Sequence, residues 1–215
     1  MAANLHKEIE KIKQHILSLS EMVESQLQKA MISINTGDPS LARKVIDDDV
    51  KIDEREIEVE EECLKLLALY QPVASDLRFL IAVIKINNDL ERIGDYAANI
   101  AKRFRTSSDD PDRFRYDYSD MTDVTLKMLK TSLTALVQWD VDLVYDVLEM
   151  DKNVNRMRND AYDIMKSDIR KNPDKVGKII NMYLISRHLE RVGDHTKNIA
   201  EQVHYLIEGE IIRHA

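Results

Sequence analysis

Cysteine, proline, glycine and aromatic residues are scarce in this chain. In 215 residues there are one Cys, four Pro, five Gly, three Phe and one Trp. A lone cysteine, Cys63, excludes an internal disulfide and leaves a thiolate metal site without a second ligand. With few glycines, prolines and large aromatics, turn-rich β architectures are disfavoured, and the chain is expected to be long helices with few connections. The glycines are scattered, so neither GxxxxGK nor GxGxxG occurs to cradle a phosphate. Lys and Arg are outnumbered by Asp and Glu, 31 to 39, giving a net charge of −8. That balance argues against a nucleic-acid surface. No apolar run reaches the roughly 18 residues that span a bilayer, and the N-terminal MAANLHKEIEKIK has no apolar core of a signal peptide. A cytoplasmic protein is expected, touching a membrane only through partners.

What is present is helical periodicity. Leu5, Ile9, Ile12, Ile16, Leu19, Val23, Leu27 and Ala30 step by three and four and form one apolar stripe. TGDPS (36–40) carries a left-handed cap glycine, a capping aspartate and a proline suited to a first helical turn. YQPVASD ends a second helix near Tyr70, and a third runs to about Arg105. The polar RTSSDDPDRFRYD (105–117) has no apolar period. The same three-helix pattern then recurs: about Ser119 to Trp139, on to Lys171 after a break near Asp140, and past KNPDK to Glu208. The expected fold is all-α and elongated: two tandem, homologous three-helix bundles at 1–106 and 117–215, joined by a linker at 107–116.

The duplication is written in LERIGDYAANIA (90–101) and LERVGDHTKNIA (189–200). Glu91, Gly94, Asp95 and Asn99 map onto Glu190, Gly193, Asp194 and Asn198 at a common shift of 99 (190 − 91). Val83, Ile86, Leu90, Ile93, Ala97 and Ile100 trace a core seam, and Glu91 and Asp95 border it, one turn apart. Like charges at that spacing destabilise a helix by a few tenths of a kcal/mol, on the order of 0.2–0.5. A central glycine costs about 1 kcal/mol against alanine. Both penalties recur in both halves. A bound cation would compensate them, and a glycine would let a second helix or a cluster come close; the alternative is a solvated acidic face on a plain helical scaffold.

Partner ligands for such a cation are expected on the preceding helices. In DDDVKIDEREIEVEEE (47–62), Val45, Asp49, Asp53 and Ile57 fall on one stripe, so Asp49 and Asp53 are expected to face Glu91 and Asp95. In the second half Asp151 and Asn155 are expected to face Glu190 and Asp194, in a register shifted by 102 (151 − 49). Oxygen ligands favour Mg, Mn or Fe, and a histidine (His188 or His195) would admit Zn. Glu201 and His204 form one ExxH, where a ferritin-like di-iron enzyme needs two. Phe114, Tyr116 and Tyr118 are expected to pack one bundle on the other, and Cys63 to be a core residue.

NDLERIGDYAANIA and HLERVGDHTKNIA resemble the signature of the PhoU family of bacterial phosphate-signalling regulators, and the resemblance covers essentially the whole chain. It implies two tandem three-helix bundles with acid-xxx-Asp motifs binding metal clusters. Carried over, those motifs fall on Glu91 and Asp95 and on Glu190 and Asp194; the companion motif falls on Asp49 and Asp53 and on Asp151, with Asn155 departing from it. The resemblance further implies a non-enzymatic, homodimeric regulator. Such a protein represses phosphate uptake and the phosphate-starvation response by contacting the phosphate ABC transporter ATPase and a sensor histidine kinase. A metal-dependent helical-bundle enzyme stands as the rival reading.

Overall fold

A computed structural model of the chain describes residues 2–108 and 116–212. Six helices account for nearly all of them: α1 Ala2–Thr36, α2 Pro39–Tyr70, α3 Ala74–Ser108, α4 Ser119–Gln138, α5 Val141–Lys171 and α6 Val176–Glu208, with a 3₁₀ turn at Pro173–Lys175 before the last. Among the described residues there is no strand. At 1.5 Å per residue the 35-residue α1 and α3 are roughly 52 Å long. The linker expected at 107–116 lies between α3 and α4, and most of it falls outside the described residues.

The breaks are where local chemistry puts them. Gly37 adopts a positive φ of 73°, Asp38 accepts from the backbone N–H of Ser40 and Leu41 at 2.9 and 3.1 Å, and Pro39 opens α2. Asp140 caps α5 by accepting from Asp142 N–H at 2.9 Å. Gly209, also left-handed, ends α6.

Helices α1, α2 and α3 pack on one another, and so do α4, α5 and α6. The predicted stripe of α1, Leu5 to Ala30, is buried throughout, as is the α3 seam from Val83 to Ile100. In α6, Leu189, Val192, Thr196, Ile199 and Val203 are buried in the same way. Each large aliphatic side chain removed from water there contributes on the order of 1.5–3 kcal/mol. Cys63 is fully buried, and desolvation pushes its thiol up to about 12, so it is an inert core residue.

The bundles join through α3 and α6, which run antiparallel against each other, with a smaller α1–α4 contact. Asp89 lies 2.8 Å from His195 Nδ1 and 3.1 Å from Asn198 Nδ2. The Tyr96 ring sits 5.7 Å from each of the His188 and His195 rings, and Asn181 donates to the Arg103 carbonyl. The linker-side aromatics do not make this joint. Tyr118 is buried and its hydroxyl donates to the Met182 carbonyl at 2.6 Å, with Tyr116 packed 4.9 Å from its ring, so both serve within the second bundle. Phe114 lies outside the described residues.

Candidate metal centres on the two bundles

The stripe that α2 turns inward corrects the sequence reading. Val45 is buried, but Ile57 is 52% exposed and Asp53 is exposed. The helix instead buries Ala42, Val45, Ile52, Val59, Cys63 and Leu66. Steps of four and three along that seam (45, 49, 52, 56, 59) put Asp49 and Glu56 on the inner face, with Asp53 on its flank. In α5 the buried Val144, Val147, Asp151, Val154 and Ala161 define the matching seam, on which residue 158 falls. Glu56 and Arg158 therefore belong to the two clusters; the pattern of acids in the sequence does not reveal them, and the buried seams of α2 and α5 are the signal that does.

The repeated glycine is what brings the helices together. A Cβ on Gly94 would stand 3.2 Å from both Cδ1 and Cγ2 of Ile52, and one on Gly193 would stand 3.3 Å from Val154 Cγ1. In each bundle the same site lies 3.8 Å from an aspartate Oδ1, that of Asp49 or Asp151. The two shifts inferred from sequence, 99 and 102, thus meet in one repeated contact. Bare backbone at the crossing lets α2 reach α3, and α5 reach α6, closely enough to set their acids side by side.

In the first bundle, Asp49 Oδ1 accepts from the buried Gln26 Nε2 at 2.8 Å. Burial pushes the Asp49 carboxyl up, the Gln26 hydrogen bond opposes it, and the nearby Asp53 and Asp95 charges add to it. Glu91 is pushed up to about 6, chiefly by burial, then by Asp95, Asp53 and Glu56, against the pull of Arg92. Glu56 is raised by burial and by Glu60 and Asp53, and Asn87 donates to its Oε1 at 3.2 Å. Arg92 is the one cation with a recorded ion pair to this set, 3.1 Å from Asp95 and 3.5 Å from Glu91 among the described residues. Glu91 Oε2 is buried and has no hydrogen-bond partner among them.

The second bundle repeats the acids and changes their surroundings. Glu190, only 7% exposed, lies 3.1 Å from Arg158 and 2.8 Å from Arg187. Asp151, 5% exposed, lies 3.7 Å from Lys197 Nζ and accepts from Asn155 Nδ2 at 3.2 Å. Asp194 pairs with Arg191 at 3.1 Å, as Asp95 does with Arg92. Burial raises the Asp151 carboxyl against the opposing Lys197 charge. Neither candidate histidine joins these acids: His195 is held by Asp89, and His188 packs on Tyr96, its pKa depressed to about 4 by burial and by Arg103 and Arg187. His204 is buried with its ring nitrogens near Tyr145 and the Glu210 carbonyl, so the ExxH is not a metal pair.

Tested against a divalent cation, the first cluster has the right donors: carboxylate oxygens, one of them, Glu91 Oε2, buried without a hydrogen bond and met only by Arg92 at 3.5 Å, with negative charge exceeding the positive. It is not drawn to a point; among the described residues no three Asp, Glu, His or Cys side chains are gathered closely enough to hold an ion. The second cluster also keeps buried carboxylate oxygens without a hydrogen-bond partner, Asp151 Oδ1 and Glu190 Oε2, but it fits a cation less well, because three side-chain cations, Arg158, Arg187 and Lys197, already stand against Glu190 and Asp151.

These features define a class: an all-helical chain of two repeated three-helix bundles, each joined to its own acidic crossing by a helical glycine. The PhoU domain model matches residues 16–104 and again 118–203. A phosphate-specific transport system accessory protein PhoU homolog of Pseudomonas aeruginosa is 34% identical over 217 residues, covering 100% of this chain and 89% of that one. The crystal structure of PhoU from Pseudomonas aeruginosa superposes with a TM-score of 0.91 at 34% identity, covering 95% of this chain and 99% of the other. That of the phosphate transport system regulatory protein PhoU from Streptococcus pneumoniae gives 0.88 at 28% identity, covering 97% and 99%. The chain belongs to the PhoU family.

Proposed function

We propose that this protein is a cytoplasmic, non-enzymatic regulator of phosphate uptake, a metal-binding adaptor that docks on the phosphate ABC transporter ATPase and on a phosphate-sensing histidine kinase. The observation that carries the reading is the match of both bundles, over nearly the full chain, to proteins named as accessory and regulatory parts of a phosphate transport system. In keeping with it, no described helix is long and apolar enough to cross a membrane. A second copy of the chain completes the assembly as a homodimer.

The metal belongs to the first cluster, where Asp49, Asp53, Glu91 and Asp95 would hold it, closing on the ion from α2 and α3. Mn, Fe, Mg or Zn would supply the positive charge that Arg92 alone does not, and would pin the α2–α3 face in one shape. No reaction is required of it. Co-purification of the phosphate transporter ATPase with this chain, in the presence and absence of inorganic phosphate, tests the adaptor role. Binding is expected, and it weakens when Glu91→Ala and Asp95→Ala are combined. No association in either condition sinks the adaptor reading.

A further inference from the structure

We infer that the second bundle has replaced the metal with its own side chains: Arg158, Arg187 and Lys197 are built-in counter-cations, and the Asp151–Glu190–Asp194 cluster takes no metal ion. The inference rests on the metal-binding reading of the first cluster and concerns the place where the two halves differ.

The residues that face the acids make the case. Subtracting the two register shifts, Arg158 stands where the first bundle has Glu56 (158 − 102), Arg187 where it has Asn88 (187 − 99), and Lys197 where it has Ala98 (197 − 99). Each replacement adds positive charge, and each of the three cations stands against a cluster carboxylate, at 3.1, 2.8 and 3.7 Å. Asn155, in the place of Asp53 (155 − 102), removes a negative charge in the same direction. The first cluster counts Asp49, Asp53, Glu56, Glu91 and Asp95 against Arg92 and Lys102, whose charge also reaches Asp49, a formal −3 (5 acids, 2 bases). The second counts Asp151, Glu190 and Asp194 against Arg158, Arg187, Arg191 and Lys197, a formal +1 (3 acids, 4 bases).

Chemistry makes the exchange sensible. The Glu190 carboxylate is more than nine-tenths buried, and a charge so buried needs a close partner of opposite sign, whether a metal or a guanidinium. A guanidinium cannot be deprotonated under ordinary conditions, so it keeps its charge where a metal would be lost to a chelator. A divalent ion entering the second cluster would meet Arg158 and Arg187 beside its ligands and be repelled. The two bundles thus divide the work: one crossing is set by a removable ion, the other by permanent charges.

The test is metal content of the full-length chain, purified, loaded with Mn²⁺ or Zn²⁺ and desalted. Glu190→Gln with Asp194→Asn should leave metal per chain unchanged, while Glu91→Gln with Asp95→Asn should remove it. Installing the first bundle's residues, Arg158→Glu with Arg187→Asn and Lys197→Ala, should add at least one equivalent over the parent. The reverse exchange, Glu56→Arg, should lower the metal content and raise the metal-free melting temperature, which keeps the inference testable if the triple variant does not fold. Metal lost on changing Glu190 and Asp194, or a folded triple variant with no added metal, overturns the inference; so does Glu56→Arg if it keeps the parent's metal content and metal-free melting temperature. A parent with no metal overturns the reading of the first cluster instead, and the triple variant still decides the second.

Discussion

Asp89 of α3 and His195 of α6 lie 2.8 Å apart across the joint between the bundles, and Asn198 donates to the same Asp89 oxygen. These residues neighbour both acidic motifs, so the joint is tied to the clusters through α3 and α6. Asp89→Ala leaves His195, in a part-buried contact, and the exposed Asn198 without that acceptor. The expected result is a loss of about 1–2 kcal/mol of stability and faster amide exchange along the facing turns of α3 and α6. A melting temperature and exchange pattern equal to the parent's would show that the contact carries none of the docking.

The helical glycines should behave unequally. Gly94→Ala gains up to about 1 kcal/mol of helix propensity but places a Cβ 3.2 Å from two carbons of the buried Ile52 side chain, which must then give way in a packed crossing. Overpacking of that kind costs about 1–3 kcal/mol, so net destabilisation is expected. Gly177 has nothing within 4 Å of a built Cβ, and Gly177→Ala is expected to be neutral or stabilising by up to about 1 kcal/mol. Urea unfolding of both variants measures this. A Gly94→Ala protein at least as stable as the Gly177→Ala one contradicts the close crossing.

Glu91 gives the metal-free protein a pH dependence with a definite sign. Its pKa is raised in the folded state, from an ordinary 4.5 to about 6, mainly by burial. The folded chain therefore binds this proton more tightly than the unfolded one. The contribution is fully present below pH 4.5 and is lost as pH rises through about 6. His188 runs the other way: its pKa is depressed from 6.5 to about 4, so its contribution is present above pH 6.5 and lost as pH falls. In chelator, Glu91→Gln should flatten the part of the profile between pH 4.5 and 6 by at most about 2 kcal/mol. Superimposable pH profiles for parent and variant would mean that Glu91 is not desolvated.

Much of this molecule is legible in its sequence, because apolar period and caps are local chemistry. The stripe from Leu5 to Ala30, the seam from Val83 to Ile100 and the TGDPS break all follow from spacing and turn residues alone. The repeat fixed the two-bundle plan, since a 99-residue shift that carries glycine and both acids together implies one crossing used twice. What escaped was the orientation of α2. Ten acids in 47–62 blur its period, so a stripe through Ile57 looked as good as the true one through Ile52 and Val59. On a stripe through Ile57, Glu56 falls outside the inward face and its counterpart Arg158 carries no signal of its own. Gln26, which binds Asp49 from a third helix, could not be found at all, because no local pattern reports on a contact 23 residues away.

The most direct test of the account is thermal melting of the full-length chain in chelator and in excess Mn²⁺ or Zn²⁺, for the parent and for Glu91→Ala combined with Asp95→Ala. A ligand that binds only the folded state adds about 2.7 kcal/mol at a hundredfold excess over Kd, so the parent should melt several degrees higher with metal. The double variant should lose that shift, while its metal-free form should match or slightly exceed the metal-free parent, because carboxylate repulsion is relieved. A parent whose midpoint does not move with any divalent metal would contradict the claim that the Asp49–Asp53–Glu91–Asp95 face is a cation site.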